Sequence, residues 1–325
     1  MIKNQWYIVL SSKELKDKPI GLTRFGEKLV MWRTKDGIAC ISDRCAHRGA
    51  SLSKGKVIDG HIQCPFHGFQ YNPNGRVMLI PANGRNFEVP ENFKVKSYKA
   101  KEKNGFIFVF YGDEDRASTE PSFFDWIDES YSYAELIDPW KTHYSRCIEN
   151  QLDPIHLPFV HYNTIGRGGR TIVDGPVVEW FDSDKMRFYM FSRKDDGTPP
   201  KKPEKLKGQK SKVYLEFIFP NLWQNHISDN FFIVAAFVPV DEENSLVYVR
   251  SYVKLTKVKF IDKLIAKFSA PFNRVILHQD RRVVETQIPK KTMLKMDENL
   301  VQGDLPIIQY RKRREELLQE KIKDI

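Results

Sequence analysis

The sequence predicts an α+β protein that consists of an all-β N-terminal domain and a second domain built from an antiparallel sheet and helices. Short apolar segments separated by turn signals such as Asn72-Pro-Asn-Gly75 occupy residues 1–112 and are typical of strands. Later apolar segments follow one another at hairpin-like spacing, and helical periodicity takes over towards the end of the chain. A length of 325 residues is sufficient for two domains of ordinary size.

The domain boundary is predicted at Asp113–Pro121, an acidic and polar segment that ends in proline. We therefore expect one domain at residues 1–112 and another at residues 121–325. The Lys-, Pro- and Gly-rich segment 195–212 is predicted to be poorly ordered. The remaining predicted elements are strands at 177–181, 186–193, 213–219, 231–238 and 246–255, and helices at 142–152, 258–287 with a break near Pro271, and 307–322.

Hydropathy and charge restrict the location and the partners of the protein. The longest apolar run, Phe231–Val240, is shorter than the roughly 20 residues that span a bilayer, and the start of the sequence lacks signal-peptide features. We expect a cytoplasmic protein that does not bind membranes. The net charge of +10 allows acidic partners. Since no aromatic interleaving or nucleic-acid motif accompanies the basic runs, an acidic electron-transfer protein is favoured over nucleic acid.

Two short ligand pairs, Cys45-x-His47 and Cys64-x-x-His67, stand sixteen residues apart. Each pair offers a thiolate and an imidazole, which is the set needed by a [2Fe–2S] cluster with two cysteines on one iron and two histidines on the other. A zinc knuckle also uses two cysteines and two histidines. Zinc sites, however, usually pair Cys with Cys and His with His at short spacing, and here each pair mixes the two.

A second group of candidate ligands begins with Asp153, His156 and His161. Side chains five positions apart on a regular helix diverge by about 140°, so the two histidines cannot share a metal ion on an undistorted helix. Pro158 lies between them and favours a kink or a helix end there. Taken alone, the pattern favours two unconnected histidines at a helix end.

Asp280 changes the interpretation of this pair. It falls in the middle of an apolar helical face formed by Ile276, Leu277, Val283 and Val284. A carboxylate buried on such a face requires a cation or strong hydrogen-bond donors. Two histidines and one carboxylate form the facial triad of non-haem Fe(II) oxygenases. Glu285, Asp229 and Asp241 are weaker candidates for the third ligand.

With both motifs in this order, the chain resembles the oxygenase (alpha) subunit of Rieske non-haem iron aromatic-ring-hydroxylating oxygenases over nearly its whole length. The resemblance implies a Rieske domain that binds a [2Fe–2S] cluster and a helix-grip catalytic domain that binds mononuclear Fe(II). It implies a short, homotrimeric, monooxygenase-like member in which Asp153 has a catalytic role and bridges two metal centres between subunits. The implied ligands are Cys45, His47, Cys64 and His67 for the cluster, and His156, His161 and Asp280 for the mononuclear iron.

The implied activity uses O₂ to hydroxylate or oxidatively demethylate a small organic, cyclic or aromatic substrate. The sequence has no Rossmann, flavin or plant-type ferredoxin motif, so the electrons must come from a separate ferredoxin or NAD(P)H-dependent reductase. The alternative is a Rieske electron-transfer protein with a non-catalytic second domain. Candidate pocket residues, which core packing explains equally well, are Phe217, Phe219, Trp223, Asn225, Phe231 and Phe237.

Overall fold

The computed structural model describes residues 1–117 and 120–319 and divides the chain into two compact units. The first unit comprises residues 3–123 and 239–241, and the second comprises 124–238 and the chain from 242 onward. Parts of two predicted elements, residues 118–119 of the boundary segment and 320–322 of the last helix, lie outside the described residues, as does the end of the predicted second domain. The α+β class is confirmed.

The first unit contains three small sheets, with strand orders β1-β10-β9, β2-β3-β4 and β5-β6-β7-β8. Their strands are β1 (Gln5–Ser11), β2 (Ile20–Arg24), β3 (Glu27–Thr34), β4 (Gly37–Ser42), β5 (Lys56–Ile58), β6 (His61–Gln63), β7 (Gln70–Tyr71), β8 (Val77–Leu79), β9 (Ala100–Lys103) and β10 (Phe106–Tyr111). Strand β10 has the sequence FIFVFY and is buried over most of its length, because β-branched and aromatic side chains fit a sheet that is covered on both faces.

The predicted turn at Asn72-Pro-Asn-Gly75 connects β7 and β8. The side-chain oxygen Oδ1 of Asn72 accepts hydrogen bonds from the amides of Asn74 (3.1 Å) and Arg76 (3.0 Å). Gly75 has a φ of +76°, and a Cβ there would lie 2.3 Å from the carbonyl oxygen of Val95. Only glycine fits this position, so the turn fixes the hairpin that follows the second Cys/His pair.

The second unit is built on a seven-stranded sheet with the order β11-β17-β16-β15-β14-β13-β12. Its strands are β11 (Ser132–Trp140), β12 (Ile172–Trp180), β13 (Lys185–Arg193), β14 (Tyr214–Ile218), β15 (Leu222–Ser228), β16 (Phe231–Pro239) and β17 (Ser245–Val253). Its α-helices are α1 (Tyr144–Leu152), α2 (Leu157–Val160), α3 (Lys259–Val284) and α4 (Leu305–Gln319).

Helix α3 packs on β11 and β17 through a single inner face. The buried residues recur every three, four or seven positions, which keeps them on one side of the helix. They are Asp262, Ala266, Asn273, Leu277, Asp280 and Val284. Val283, which the sequence places on the apolar face, is instead 40% exposed. No helix in the described part of the chain is long and apolar enough to cross a membrane.

Several sequence predictions for this unit are wrong. Strands β11 and β15 were not predicted, because polar residues interrupt both of them. Helix α3 is unbroken at Pro271, which faces outwards, where the loss of one backbone donor is tolerated. The segment 195–212 is anchored: the amide of Lys201 donates to Asp174 Oδ1 (2.7 Å) and Leu206 is buried against β12 and β13.

Candidate functional site

The two Cys/His pairs of the first unit lie on two loops of the same design. In each loop, the glycine four residues after the cysteine donates its amide to the cysteine carbonyl, at 2.8 Å from Gly49 to Cys45 and at 3.1 Å from Gly68 to Cys64. Both glycines are left-handed, with φ of +75° and +76°. The sharp reversal keeps each histidine close to its cysteine in space.

Within these loops the thiols are buried and the imidazoles are exposed. Cys45 and Cys64 are 3% and 2% exposed, whereas the rings of His47 and His67 are accessible and their centroids lie 4.6 Å apart. Burial raises the pKa of the Cys64 thiol, while the backbone amides of the two residues that follow Pro65 oppose this shift. Amides that stabilise a thiolate suit a cluster ligand.

The donor set fits a two-iron cluster better than a single zinc ion. Tetrahedral zinc requires all four ligand atoms around one point. Within the described residues, sets of three or more metal-binding side chains with ligand atoms within 4.8 Å of one another include none of the four Cys/His residues. Two thiols and two imidazoles that are spread over a larger space match two irons, one with each ligand type.

Tyr71 provides a hydroxyl beside this candidate cluster site. Its Oη lies 3.1 Å from Cys45 Sγ and accepts a hydrogen bond from the amide of Ala46 at 2.9 Å. Burial, followed by the contact with Cys45, raises the pKa of Tyr71, so the phenol stays protonated. Because its oxygen already accepts from Ala46, its proton is free to be donated to the sulfur.

In the second unit, the two histidines of the second motif flank a single helical turn. His156 immediately precedes α2 and His161 immediately follows it, and Pro158 occupies the first turn. Their ring centroids lie 5.1 Å apart. The divergence expected on a long regular helix does not apply, because α2 spans only four residues and the backbone of His161, with φ of −109° and ψ of +24°, has left the helical conformation.

Asp280 comes from the inner face of α3 and points at both rings. Its Oδ1 lies 2.9 Å from His161 Nε2 and 3.5 Å from His156 Nε2. The ligand atoms of the three residues are within 4.8 Å of one another, and Asp280 and His161 are each 1% exposed. Glu285, Asp229 and Asp241 are not members of this group.

Hydrogen bonding on α3 distinguishes Asp280 from the other polar residues of its inner face. Asp262 Oδ1 accepts from the amide of Thr256 at 2.9 Å, and Asn273 Nδ2 donates to Ser251 Oγ at 2.6 Å. Asp280 Oδ1 is buried without a well-aligned hydrogen bond. A buried carboxylate that faces two imidazole nitrogens requires a cation, so these three side chains fit a metal ion.

Gln279 orients one of the candidate ligands and was not identified from the sequence. Its Oε1 accepts a hydrogen bond from His161 Nδ1 (2.9 Å) and another from Thr164 Oγ1 (2.8 Å), and its Nε2 donates to Asn163 Oδ1 (2.8 Å). The Nδ1 proton of His161 is thereby placed away from Asp280, which leaves the Nε2 lone pair available for a metal. The only signal in the sequence is that a glutamine precedes Asp280.

Asp153 lies next to His156 in the second unit. Its Oδ1 accepts from the amide of Ile155 at 2.6 Å, and its Oδ2 is 3.7 Å from His156 Nδ1. Burial lowers the pKa of His156, but the carboxylates of Asp153 and Asp280 outweigh it, and the net shift is upward.

A cavity of about 370 Å³ opens beside His156 and His161, between the sheet and α3. Four of the candidate pocket residues line it, namely Trp223, Asn225, Phe231 and Phe237. The other two do not: the rings of Phe217 and Phe219 pack against Tyr310, with centroid distances of 5.5 Å in both cases. The cavity places a ligand next to the candidate metal ligands.

Comparisons with known families match both units. Residues 5–99 match the Rieske [2Fe-2S] domain, and residues 140–320 match the vanillate O-demethylase oxygenase C-terminal domain. Chlorophyllide a oxygenase of Chlamydomonas reinhardtii is 37% identical over 169 residues, which are 51% of this chain and 26% of that protein. The vanillate O-demethylase oxygenase subunit of Pseudomonas sp. (strain HR199 / DSM 7063) is 32% identical over 190 residues, 57% of this chain and 51% of that protein. The chain thus matches from a quarter to about half of the length of these two relatives.

Among solved structures, NdmA of Pseudomonas putida CBB5 superposes with a TM-score of 0.81 at 25% identity, covering 98% of this chain and 91% of that one. Dicamba monooxygenase bound to dicamba superposes with a TM-score of 0.76 at 20% identity, covering 99% of both chains. The second likeness is one of fold.

Proposed function

Because the chain belongs to the Rieske oxygenase family that includes the vanillate O-demethylase oxygenase subunit, we propose that it is the terminal oxygenase component of a multi-component system. In this role it would use O₂ and externally supplied electrons to hydroxylate or oxidatively demethylate a small cyclic organic substrate, as a monooxygenase. The observation that carries the proposal is the buried Asp280 Oδ1, which faces the Nε2 atoms of His156 and His161 without a hydrogen bond.

The chain's own residues have separable roles in this proposal. His156, His161 and Asp280 would hold ferrous iron, which would supply open coordination positions for O₂ activation. Gln279 fixes the ring of His161 through its Nδ1 proton. The apolar cavity beside them would exclude water from the substrate.

Electron supply is assigned to the first unit. Cys45, Cys64, His47 and His67 would hold the Rieske cluster, with the exposed imidazoles on the accessible side. A separate ferredoxin or NAD(P)H-dependent reductase would reduce the cluster, and the net charge of +10 favours an acidic donor protein. We place the system in a homotrimer in which Asp153 couples the cluster of one subunit to the iron of its neighbour.

Metal analysis tests this function directly. The purified protein should show Rieske-type absorption and one iron atom per chain beyond those of the cluster. When a reductase, a ferredoxin and an aromatic substrate are supplied, the mixture should also consume NADH and O₂. An electron carrier with a non-catalytic second domain would contain cluster iron alone, and a colourless zinc protein would exclude both alternatives.

Hybrid oligomers test the assembly. A Cys45→Ser chain would lack the cluster and a His156→Ala chain would lack the mononuclear iron, so each homo-oligomer should be inactive. Co-expressed chains that are purified as confirmed hybrids should regain part of the activity if electrons cross between subunits. Inactive confirmed hybrids would rule out the inter-subunit path while leaving the oxygenase assignment intact.

A further inference from the structure

We propose that the cavity beside the metal-binding group accepts an uncharged, largely apolar ligand of two to three rings that carries a hydrogen-bond acceptor and a donor, recognised by Trp223 and Asn225. The inference rests on the proposed function only in that this ligand is taken to be the substrate. Binding itself requires no turnover, so it can be measured independently.

The side chains of the lining disfavour an ionised ligand. Most lining side chains are aliphatic or aromatic, and among the described residues that line the cavity there is no lysine or arginine. Asp153 lies at the end near His156, beside the metal ion that His156, His161 and Asp280 would hold. Away from that cation, transfer of a carboxylate from water into the apolar cavity is strongly unfavourable. A neutral ligand avoids this penalty.

Strand β15 contributes Trp223 and Asn225 to the cavity, while the polar residues Gln151, Ser269 and Asn273 line it from α1 and α3 and already donate hydrogen bonds within the protein. Residues alternate between the two faces of a strand, so Trp223, Asn225 and Ile227 face the cavity together. Gln224, on the opposite face, donates to Glu216 and accepts from Trp126. Strand β15 therefore separates a face with satisfied hydrogen bonds from a face directed at the ligand.

Two buried polar atoms on the cavity face of β15 have no hydrogen-bond partner among the described residues. They are the indole nitrogen Nε1 of Trp223, a donor, and the amide oxygen Oδ1 of Asn225, an acceptor. Buried polar groups are normally hydrogen-bonded, and an unpaired pair of opposite type beside an apolar cavity is suited to a ligand that supplies the complementary atoms. Two steps along a strand place their Cα atoms roughly 7 Å apart, which one polar substituent on a ring can bridge.

The strand holds these two residues rigidly. Asn225 pairs with Leu215 on β14 and with Ile233 on β16, and Trp223 pairs with Phe217 and Ala235 on the same two strands. Hydrogen bonding on both sides fixes the backbone, so the positions of the two Cα atoms are set before a ligand arrives. Preorganisation of this kind increases selectivity because little order is lost on binding.

Cavity volume sets the size of the ligand. A cavity of about 150 Å³ lined by aliphatic and aromatic side chains holds benzene. The cavity here measures about 370 Å³ and therefore accommodates a fused two-ring or three-ring compound. A monocyclic ligand would leave part of the apolar surface uncovered.

Three matched naphthalenes test the inference. They are 6-methoxy-2-naphthamide, which is neutral with a donor and an acceptor, 6-methoxy-2-naphthoate, which is of similar size but anionic, and 2-methoxynaphthalene, which lacks the polar group. Binding to the oxidised holoprotein is measured by isothermal titration calorimetry without reductant. We expect the naphthamide to bind at least about tenfold more tightly than either of the others, a difference of about 1.4 kcal/mol.

Variants of Trp223 and Asn225 test whether these two residues determine the preference for the naphthamide. Asn225→Leu should reduce the affinity for the naphthamide to that for 2-methoxynaphthalene, and Asn225→Lys should reverse the preference in favour of the naphthoate. Trp223→Phe tests the donor independently if an Asn225 variant does not fold, which circular dichroism and cluster absorption report. Asp229→Asn, a change at a side chain that is 97% exposed in the turn after β15, is the matched surface control and should bind as the wild type does.

The inference is overturned if the naphthoate binds as tightly as the naphthamide. Persistence of the amide preference in both Asn225→Leu and Trp223→Phe, or failure of all three probes to bind, would also overturn it. Failure of the proposed function would give a different result. If the protein contained no mononuclear iron but bound the probes with the expected selectivity, the oxygenase assignment would be rejected and the proposed ligand class would stand.

Discussion

The Nδ1 atom of His161 donates to Oε1 of Gln279 across 2.9 Å, and Gln279 is the residue directly before Asp280 on α3. One helix therefore supplies both a candidate carboxylate ligand and the group that orients a candidate histidine ligand. Since neighbouring residues on a helix diverge by about 100°, the two side chains approach His161 from different sides. Both ring nitrogens of His161 therefore face side chains from the same helical turn.

Replacement of Gln279 by leucine should weaken metal binding by about 10- to 100-fold, because the ring of His161 would lose its orienting acceptor. Gln279→Glu keeps an oxygen acceptor and should retain the affinity. Equilibrium dialysis against graded ferrous ion, followed by elemental analysis, measures both variants. If Gln279→Leu binds ferrous ion as tightly as the wild type does, Gln279 does not position His161.

Asp280→Ala should lose the mononuclear iron and keep the Rieske absorption, since the two candidate metal sites share no residue. Glu285→Ala is the matched control, because Glu285 follows α3 directly but accepts a hydrogen bond from the amide of Lys141 at 2.7 Å. Iron content falls by one atom per chain in the first variant and is unchanged in the second. Undiminished iron in Asp280→Ala would require another third ligand.

Tyr71→Phe should lower the reduction potential of the cluster. A hydrogen bond from Tyr71 Oη to Cys45 Sγ, 3.1 Å away, stabilises the more negative reduced state preferentially. A preference of about 1 kcal/mol corresponds to roughly 40 mV for a one-electron couple. Protein-film voltammetry measures the potential, and a shift to higher values would show that the phenol does not donate to the sulfur.

The pair formed by Glu149 and Arg311 should be the main electrostatic link between α1 and α4. Arg311 donates to both carboxylate oxygens, at 2.8 and 2.7 Å, and the side chains are 6% and 3% exposed. Arg311→Met should lower the free energy of unfolding by about 3 kcal/mol or more, because it leaves a buried carboxylate with a weaker partner. Joint replacement with Glu149→Leu should recover part of this loss.

Arg313→Met is the control for that measurement. Arg313 lies on the same helix, pairs with the largely exposed Glu316 and donates to the carbonyl oxygen of Ser183 at 2.8 Å, so its removal should cost less than that of Arg311 because it leaves no buried carboxylate. Urea unfolding of the three variants and the wild type is compared under one set of conditions. If Arg311→Met and Arg313→Met lower the free energy of unfolding equally, the pair formed by Glu149 and Arg311 is not the main electrostatic link between α1 and α4.

His143 should make stability depend on pH below neutrality. Burial, followed by the charge of Arg314, lowers the pKa of His143 from 6.5 to about 2. The unfolded chain then binds the proton and the folded chain does not, so the free energy of unfolding falls as pH drops below 6.5, by up to about 1.4 kcal/mol per unit. The imidazole also caps α1 by accepting from the amide of Ser145 at 3.2 Å.

His143→Asn retains a capping side chain but cannot titrate. Between pH 7 and pH 5.5 the variant should lose about 1 kcal/mol less stability than the wild type. Urea midpoints at the two pH values measure the difference. If the stability of the variant and that of the wild type change equally with pH, a group other than His143 causes the pH dependence.

The candidate metal ligands could be predicted from the sequence because their residue types and their short spacing are typical of metal sites. His156 and His161 became candidate ligands through Pro158 between them and through Asp280 in the middle of an apolar helical face. Gln279 was not accessible, since its role depends on which ring nitrogen it meets across 118 positions of sequence. The pocket aromatics show the same limit: Phe217 and Trp223 are paired neighbours on β14 and β15, yet only Trp223 lines the cavity.

The candidate metal ligands flank α2 or lie on α3, whereas the two residues proposed to select the ligand, Trp223 and Asn225, lie on β15. Asn225 and Trp223 can therefore be exchanged in evolution without displacing His156, His161 or Asp280. Because β15 is held by strands on both sides, such exchanges change the exposed chemistry while the backbone stays in place. Substrate preference should therefore change faster among related chains than the reaction does. The amino-acid differences responsible should lie at a few positions of β15.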